Sequence, residues 1–353
     1  MTLCGRWSER SRWLWLPAAL CLSSAASACD SVRPDDTIGP GADPIDSVVD
    51  CPAEHLVIGL RDPSGASAIA RRSAADMTTC RGLAINGQVT AVGGLIDGTE
   101  LVGVDSRVRR IGLRGEEAWS HEAPSYGLEA AAFAVLGING GYAVAVLWMT
   151  SYSSTGQLVE ILDAGTGETM QTYDDPPGSP VAIATGLDGV GDRIALLDQY
   201  ESLREAQVVI GAPGLGSATE REIQMPRTGG ELTWAASIAP QPELGFPGRV
   251  AIGSGRGVVY WSTDMAPAAL GPVACAWPAY FGETLPTTCE DYDAAVPIPG
   301  AEARFVASCV AREESASRPA IVELGRRGDC RVLNAPSAFD ANVTVVGMAW
   351  AGR

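Results

Sequence analysis

The sequence predicts an all-β domain built from six repeats of one four-strand unit, and three observations carry that prediction. Short runs rich in Ala, Gly and Val recur at intervals of about 40–60 residues, within the period range of repeat architectures. A turn containing Gly, Asp or Pro follows each run, and further apolar runs of strand length come after it. The last such run, Val343–Met348, has no strands after it, whereas the segment after residue 50 supplies three strands with no inner one before them.

The inner strands are Thr90–Gly94, Ala130–Val135, Val181–Thr185, Trp234–Ala239, Tyr292–Val296 and Val343–Met348. Small side chains suit strands that converge on an axis. Second strands are expected at Leu101–Val104, Tyr142–Val146, Arg193–Leu197, Arg249–Ile252 and Arg304–Ser308. Third strands are expected at Val108–Ile111, Leu158–Leu162, Gln207–Ile210, Val258–Trp261 and Ala320–Glu323. Outer strands should end before Pro124, Pro176, Pro226, Pro278 and Pro336, because proline lacks the N–H that a ladder needs. Leu56–Leu60, Ala68–Arg71 and Thr79–Leu83 complete the unit that Val343–Met348 begins. A blade shared between the chain ends would leave no free sheet edge. The architecture is therefore a single β-propeller over residues 51–353 with six four-stranded blades. A pair of β-sandwiches is the alternative, but it would not predict a split unit.

The stretch Val159-Glu-Ile-Leu-Asp163-Ala-Gly-Thr-Gly167-Glu-Thr169 resembles the hairpin between the third and outer strands of quinoprotein-like and WD40-like repeats. The resemblance covers one blade, and no Trp-Asp dipeptide accompanies it. It implies a propeller fold, on which either binding surfaces or axial catalytic sites occur.

Residues 1–28 have the organisation of an export signal. Arg6, Arg10 and Arg12 precede the apolar stretch Trp13–Leu22, which is too short to span a bilayer. Small residues then lead to Cys29. The segment resembles a bacterial lipoprotein signal, with Ala26 where that family usually has Leu, and the resemblance implies a lipid on Cys29. Ala26-Ser27-Ala28 also fits an ordinary secretory cleavage site, which would leave a soluble secreted or periplasmic protein. Residues 29–50 alternate Asp with Pro and Gly, an acidic composition with little to bury, and are expected to form a disordered tether. The protein is thus expected in the bacterial cell envelope, anchored by lipid and facing periplasm or cell exterior.

Of nine cysteines, Cys4 and Cys21 lie within the signal. With Cys29 lipidated, Cys51, Cys80, Cys275, Cys289, Cys309 and Cys330 remain, enough for three disulfides. Position along the repeats suggests Cys275–Cys289, Cys51–Cys80 and, by elimination, Cys309–Cys330, with Cys51–Cys330 as an alternative. No Cys-x-x-Cys pair occurs, so zinc and thioredoxin chemistry lose their usual signature, and no metal or cofactor is implied.

The net charge is −17, and loss of residues 1–28 makes the remainder two charges more negative. Such a surface repels phosphate backbones, so nucleic acid is not an expected partner. The chain has no lysine, which excludes lysine Schiff-base chemistry. His55 and His121 are the only histidines, and packing or surface roles are expected for both. Gly253-Ser-Gly255-Arg-Gly257 is glycine-rich, but a β-rich run follows it, so a turn between second and third strands is expected instead of a phosphate loop. Asp188-Gly-Val-Gly-Asp192 lacks the spacing of a calcium loop and suits the turn after an inner strand. Trp119, Trp148, Trp234, Trp261, Trp277 and Trp350 suit packing between blades. No catalytic cluster is found. A lipid-anchored binding or scaffold protein for a protein or glycan partner is expected; a propeller enzyme of glycosidase, lyase or quinoprotein type is the alternative.

Overall fold

The chain divides into two units, Met1–Asp36 and Thr37–Arg353. A computed structural model describes residues 50–352, apart from 139, 151–152, 179, 186–190, 199–201, 217, 223–233, 239–248, 255–256, 263–264, 271–272, 277–285, 290–291, 299–303, 313–316, 326–328, 335–338 and 341. Of residues 153–156, 202, 218–289, 311–312 and 317, only strand backbone is described. The export signal, Cys29 and the tether up to residue 49 lie outside the described residues.

Every described element is a strand. The first three are β1 (His55–Arg61), β2 (Ser67–Ser73) and β3 (Thr79–Ile85). Then come β4 (Val89–Gly94), β5 (Glu100–Val104), β6 (Arg107–Ile111) and β7 (Glu117–Glu122), followed by β8 (Leu128–Ile138), β9 (Gly141–Thr150), β10 (Ser153–Asp163) and β11 (Thr169–Tyr173). The next two groups are β12 (Pro180–Thr185), β13 (Arg193–Asp198), β14 (Ser202–Gln207) and β15 (Ala218–Glu222), and β16 (Trp234–Ile238), β17 (Arg249–Ser254), β18 (Gly257–Ser262) and β19 (Met265–Leu270). A hairpin of β20 (Val273–Ala276) and β21 (Pro286–Cys289) precedes β22 (Tyr292–Pro297), β23 (Arg304–Arg312), β24 (Ser317–Gly325) and β25 (Cys330–Asn334). The last strand is β26 (Thr344–Ala351).

Five antiparallel sheets are each built from four consecutive strands: β4–β7, β8–β11, β12–β15, β16–β19 and β22–β25. The first strands of successive sheets lie side by side, which makes these sheets the blades of a β-propeller. Five blades are thus contiguous in the sequence, where the repeats suggest six units. A further four-stranded sheet is composite, in the order β26-β1-β2-β3. There β26 runs antiparallel to β1, with His55 opposite Ala351 and Arg61 opposite Thr344. β26 neighbours β4 on one side and β22 on the other.

Local chemistry accounts for the turns. Asp97 accepts bonds from the Thr99 amide (3.0 Å) and hydroxyl (2.6 Å), closing the β4–β5 turn. Asp163 does the same between β10 and β11, accepting from the amides of Gly165 (2.9 Å) and Thr166 (2.8 Å). Gly167 in that turn has φ +74°, and a Cβ there would lie 2.7 Å from the Trp119 ring. Small residues on inner strands allow neighbouring backbones to meet. A Cβ on Gly94 would run into the Trp350 carbonyl and the Ala351 amide of β26. Two threonines stitch these strands together: Thr90 donates to Ala130 O (2.7 Å) and Thr185 to Val135 O (3.0 Å).

The core lies between sheets. Val57, Ile69, Val89, Val92 and Val102 fill the seam between the composite sheet and β4–β7. Leu101, Trp119, Val144 and Trp148 fill the next seam. Leu56, Ile58, Val296, Val306 and Phe339 join the composite sheet to β22–β25.

Two strand expectations need correction. The third strand of the β12–β15 blade is Ser202–Gln207, ahead of the expected Gln207–Ile210. Val208 and Ile210 instead join the core shared with the preceding blade, and Val209 O accepts a bond from the Tyr173 hydroxyl at 2.9 Å. The outer strand of the β16–β19 blade is Met265–Leu270, not the segment ending at Trp277. Pro267 disguises it in the sequence, although an outer strand tolerates proline on its unpaired side. Cys275 therefore belongs to the separate β20–β21 hairpin.

Candidate functional site

The surface around the axis is where a propeller enzyme would hold its chemistry. The six first strands β4, β8, β12, β16, β22 and β26 carry two ionisable groups with acidic or basic side chains, Glu129 and Asp293. Each is the second residue of its strand, in β8 and β22, and each is half-buried. β4 and β26 stand between β8 and β22 on one side, and β12 and β16 on the other. The two carboxylates thus sit on strands that are not neighbours. A glycosidase holds its carboxyl pair about 5–9.5 Å apart across the scissile bond.

Both histidines face buried glutamates. His55 opens β1 and is fully buried, as are Arg71 of β2 and Glu100 of β5. His55 Nε2 lies 2.7 Å from Glu100 Oε1, and Nδ1 lies 3.0 Å from Pro52 O. Arg71 donates from Nε to Glu100 Oε1 (2.6 Å) and from Nη2 to Glu100 Oε2 (2.7 Å), a two-point grip. Its Nη1 donates to Leu113 O at 2.8 Å. This group latches the composite sheet to the β4–β7 blade.

The second latch joins β4–β7 to β8–β11. Glu160 of β10 is buried and lies 3.2 Å from His121 Nε2 of β7. It also accepts from Trp148 Nε1 (2.9 Å) and from the Thr169 hydroxyl (2.7 Å). The hydrogen bond that His121 donates to Glu160 raises the His121 pKa above 6.5, against the opposing effect of burial. On the same seam Ala164 O accepts from Arg110 Nη1 (2.7 Å) and Trp119 Nε1 (3.0 Å). Arg72, beside Arg71, reaches the other way to Asn334 and Leu333 O of β25. Desolvation, followed by the nearby Arg331 charge, lowers its pKa to about 10.

The remaining expected positions are structural where they are described. Trp119, Trp148 and Trp350 are buried between sheets, the last donating to Pro297 O at 2.6 Å. The side chains of Trp234 and Trp261, and all of Trp277, lie outside the described residues. Ser254 is opposite Gly257 at a hairpin turn between β17 and β18, the position expected for the glycine-rich run. Asp192 precedes β13 and accepts from Gln207 Nε2 at 2.7 Å, while Asp188 lies outside the described residues. Cys51 and Cys80 form a disulfide with S–S 1.99 Å and Cα–Cα 5.1 Å. Cys309 is fully buried on β23, Cys330 opens β25, and both are disulfide-bonded. Cys275 and Cys289 lie on β20 and β21 with side chains outside the described residues. Among the described residues, no three His, Cys, Asp or Glu side chains group as a metal site requires.

Sequence reasoning missed the charged latches. Arg71-Arg72 following the apolar Ala68–Ala70 run of β2 was the available signal, since arginine buried in a strand needs a partner. The identity of that partner, 29 positions away at Glu100, carries no periodic signature.

No family model matches the chain, and no curated protein matches it. Among solved structures, it is similar to a protein of unknown function from Bacteroides caccae, with 15% identity and a TM-score of 0.53 over 84% of this chain and 98% of that one. A structure of the RRP9 WD40 repeats aligns at 10% identity and a TM-score of 0.42 over 69% of this chain and 79% of that one, too distant to carry an argument. The former likeness bears on fold alone.

Proposed function

We propose that this protein is a binding or scaffold propeller of the bacterial cell envelope, held by a lipid on Cys29 and presenting its surface to a protein or glycan partner. Six blades, the composite one among them, would close one ring, and pairing of β26 with β1 supports that reading. The observation that carries the functional reading is the placement of the reactive side chains. The only two histidines and the fully buried Arg71–Glu100 pair serve as latches between sheets. Propellers host both binding and catalysis, so the site decides, not the fold.

The test is cross-linking in the native envelope followed by purification of the tagged full chain. A specific protein or glycan recovered in near-stoichiometric amount is the expected result. Turnover of an envelope polysaccharide by the purified domain, abolished by Glu129→Gln or Asp293→Asn, overturns the reading in favour of the enzyme. For the anchor, intact mass of the mature protein should show a diacylglyceryl group on Cys29, and Cys29→Ser should move the protein to the soluble fraction. An unmodified N-terminal Cys29 ends the lipoprotein assignment.

A further inference from the structure

Cys309 and Cys330 are both disulfide-bonded, and the sheet they share keeps them apart. Cys309 is opposite Ala320 of β24, and Cys330 is opposite Leu324 of the same strand. The steps from Ala320 to Leu324, at about 3.4 Å each, separate the two levels by about 14 Å, with β24 itself between them. Disulfides join Cα atoms about 4.4–6.8 Å apart. The expected Cys309–Cys330 pair is therefore excluded.

The Cys275–Cys289 pair meets the same obstacle. In the hairpin Cys275 is opposite Thr287, and Cys289 is opposite Val273. A two-residue stagger across adjacent strands sets the Cα atoms about 8 Å apart, outside disulfide reach. Cys51 and Cys80 hold each other. The hairpin itself, however, lies along the β22–β25 blade: β20 beside β25, and β21 beside β23. Cys289 is three residues before Tyr292, and Tyr292 is directly opposite Cys309.

We propose that the disulfides cross between hairpin and blade, as Cys289–Cys309 and Cys275–Cys330. Each forms by exchange with a protein disulfide oxidant of the envelope. Two thiols release two protons and pass two electrons to the oxidant, whose own disulfide becomes two thiols. The bonds staple β20–β21, the one paired element outside the four-stranded sheets among the described residues, to the blade beside the composite sheet. All three disulfides then flank the place where the two ends of the propeller chain meet.

The test is digestion of the mature, exported protein without reduction, followed by sequencing of the linked peptides. Peptides joining 289 to 309 and 275 to 330 are expected. A peptide joining 275 to 289, 309 to 330, 275 to 309 or 289 to 330 overturns the proposal. As a second measurement, Cys275→Ala is unfolded without reductant and alkylated. Label on Cys330 is expected, and label on Cys289 refutes the crossing. The wild-type map stands whether or not that variant folds.

Discussion

Glu100→Gln isolates what the buried latch contributes. The carboxylate receives two bonds from Arg71 and faces His55, and all three residues are fully buried. The amide keeps the shape but removes the negative charge, so the Arg71 guanidinium stays buried without its counter-ion. Breaking a buried pair from one side costs about 3–5 kcal/mol. Arg71 keeps an acceptor in Leu113 O at 2.8 Å, which places the expected loss near the lower end, about 3 kcal/mol. Against a typical total of about 5–15 kcal/mol, that is a large fraction. At roughly 2–4 °C per kcal/mol for a large domain, Tm should fall by roughly 6–12 °C. The control is Glu122→Gln, which breaks the exposed pair with Arg107, whose side chains are 72% and 56% accessible. Such a pair contributes about 0–1 kcal/mol. Urea denaturation of both variants beside the parent measures the difference. Equal midpoints for the two variants would refute the claim that charge burial at this seam holds the composite sheet in place.

The other expectations concern the seams as well. Deleting residues 341–353 removes β26 and exposes β1, so cooperative unfolding should be lost; an unchanged melting curve would show that β26 is dispensable. Gly94→Ala should lower stability by about 1–3 kcal/mol, because the new methyl meets the β26 backbone, and chemical denaturation reads it. Cys80→Ser, by loop entropy over a separation of 29 residues, should cost about 3–4 kcal/mol, seen as a lower midpoint than the oxidised parent. His121 has a raised folded pKa, so its stabilising effect is complete below its ordinary 6.5 and is lost as pH rises through the raised value. The urea midpoint of the parent should therefore fall as pH rises above His121's ordinary 6.5 and through its raised value, and His121→Gln should flatten that part of the profile.

The repeats were legible because a sheet's chemistry is local. Strand-length apolar runs, turns containing Gly, Asp or Pro and small first strands all recur within a short window. Met265–Leu270 escaped because Pro267 looks like a terminator until the strand is known to be outermost. Gln207–Ile210 misled because apolar residues can serve a neighbouring blade as well as their own. The latches were hidden for a different reason. With 25 basic and 42 acidic residues, composition permits many ion pairs, and nothing periodic joins Arg71 to Glu100. The disulfides were half legible: counting supplied the six cysteines, but partner choice needed the strand levels of Cys309 and Cys330.

The Glu100 latch also sits beside the sheet whose topology is weakest. Within each contiguous blade the paired strands follow one another closely in the sequence. β1 and β26 are joined by no turn, because almost the whole domain separates them in sequence. Closing a loop that long instead of a hairpin of a few residues costs about 3–4 kcal/mol more. The seam on one side of the composite sheet carries the fully buried Arg71–Glu100–His55 group, and the seam on the other carries Arg72 against Asn334. Adjacent arginines on one strand, pointing to opposite faces, thus bind β2 to the sheet before it and the sheet after it. The Cys51–Cys80 bond fixes the chain entry beside the first of these seams. Side chains thus tie the composite sheet to its neighbours on both sides, while β26 joins β1 by backbone pairing and no turn.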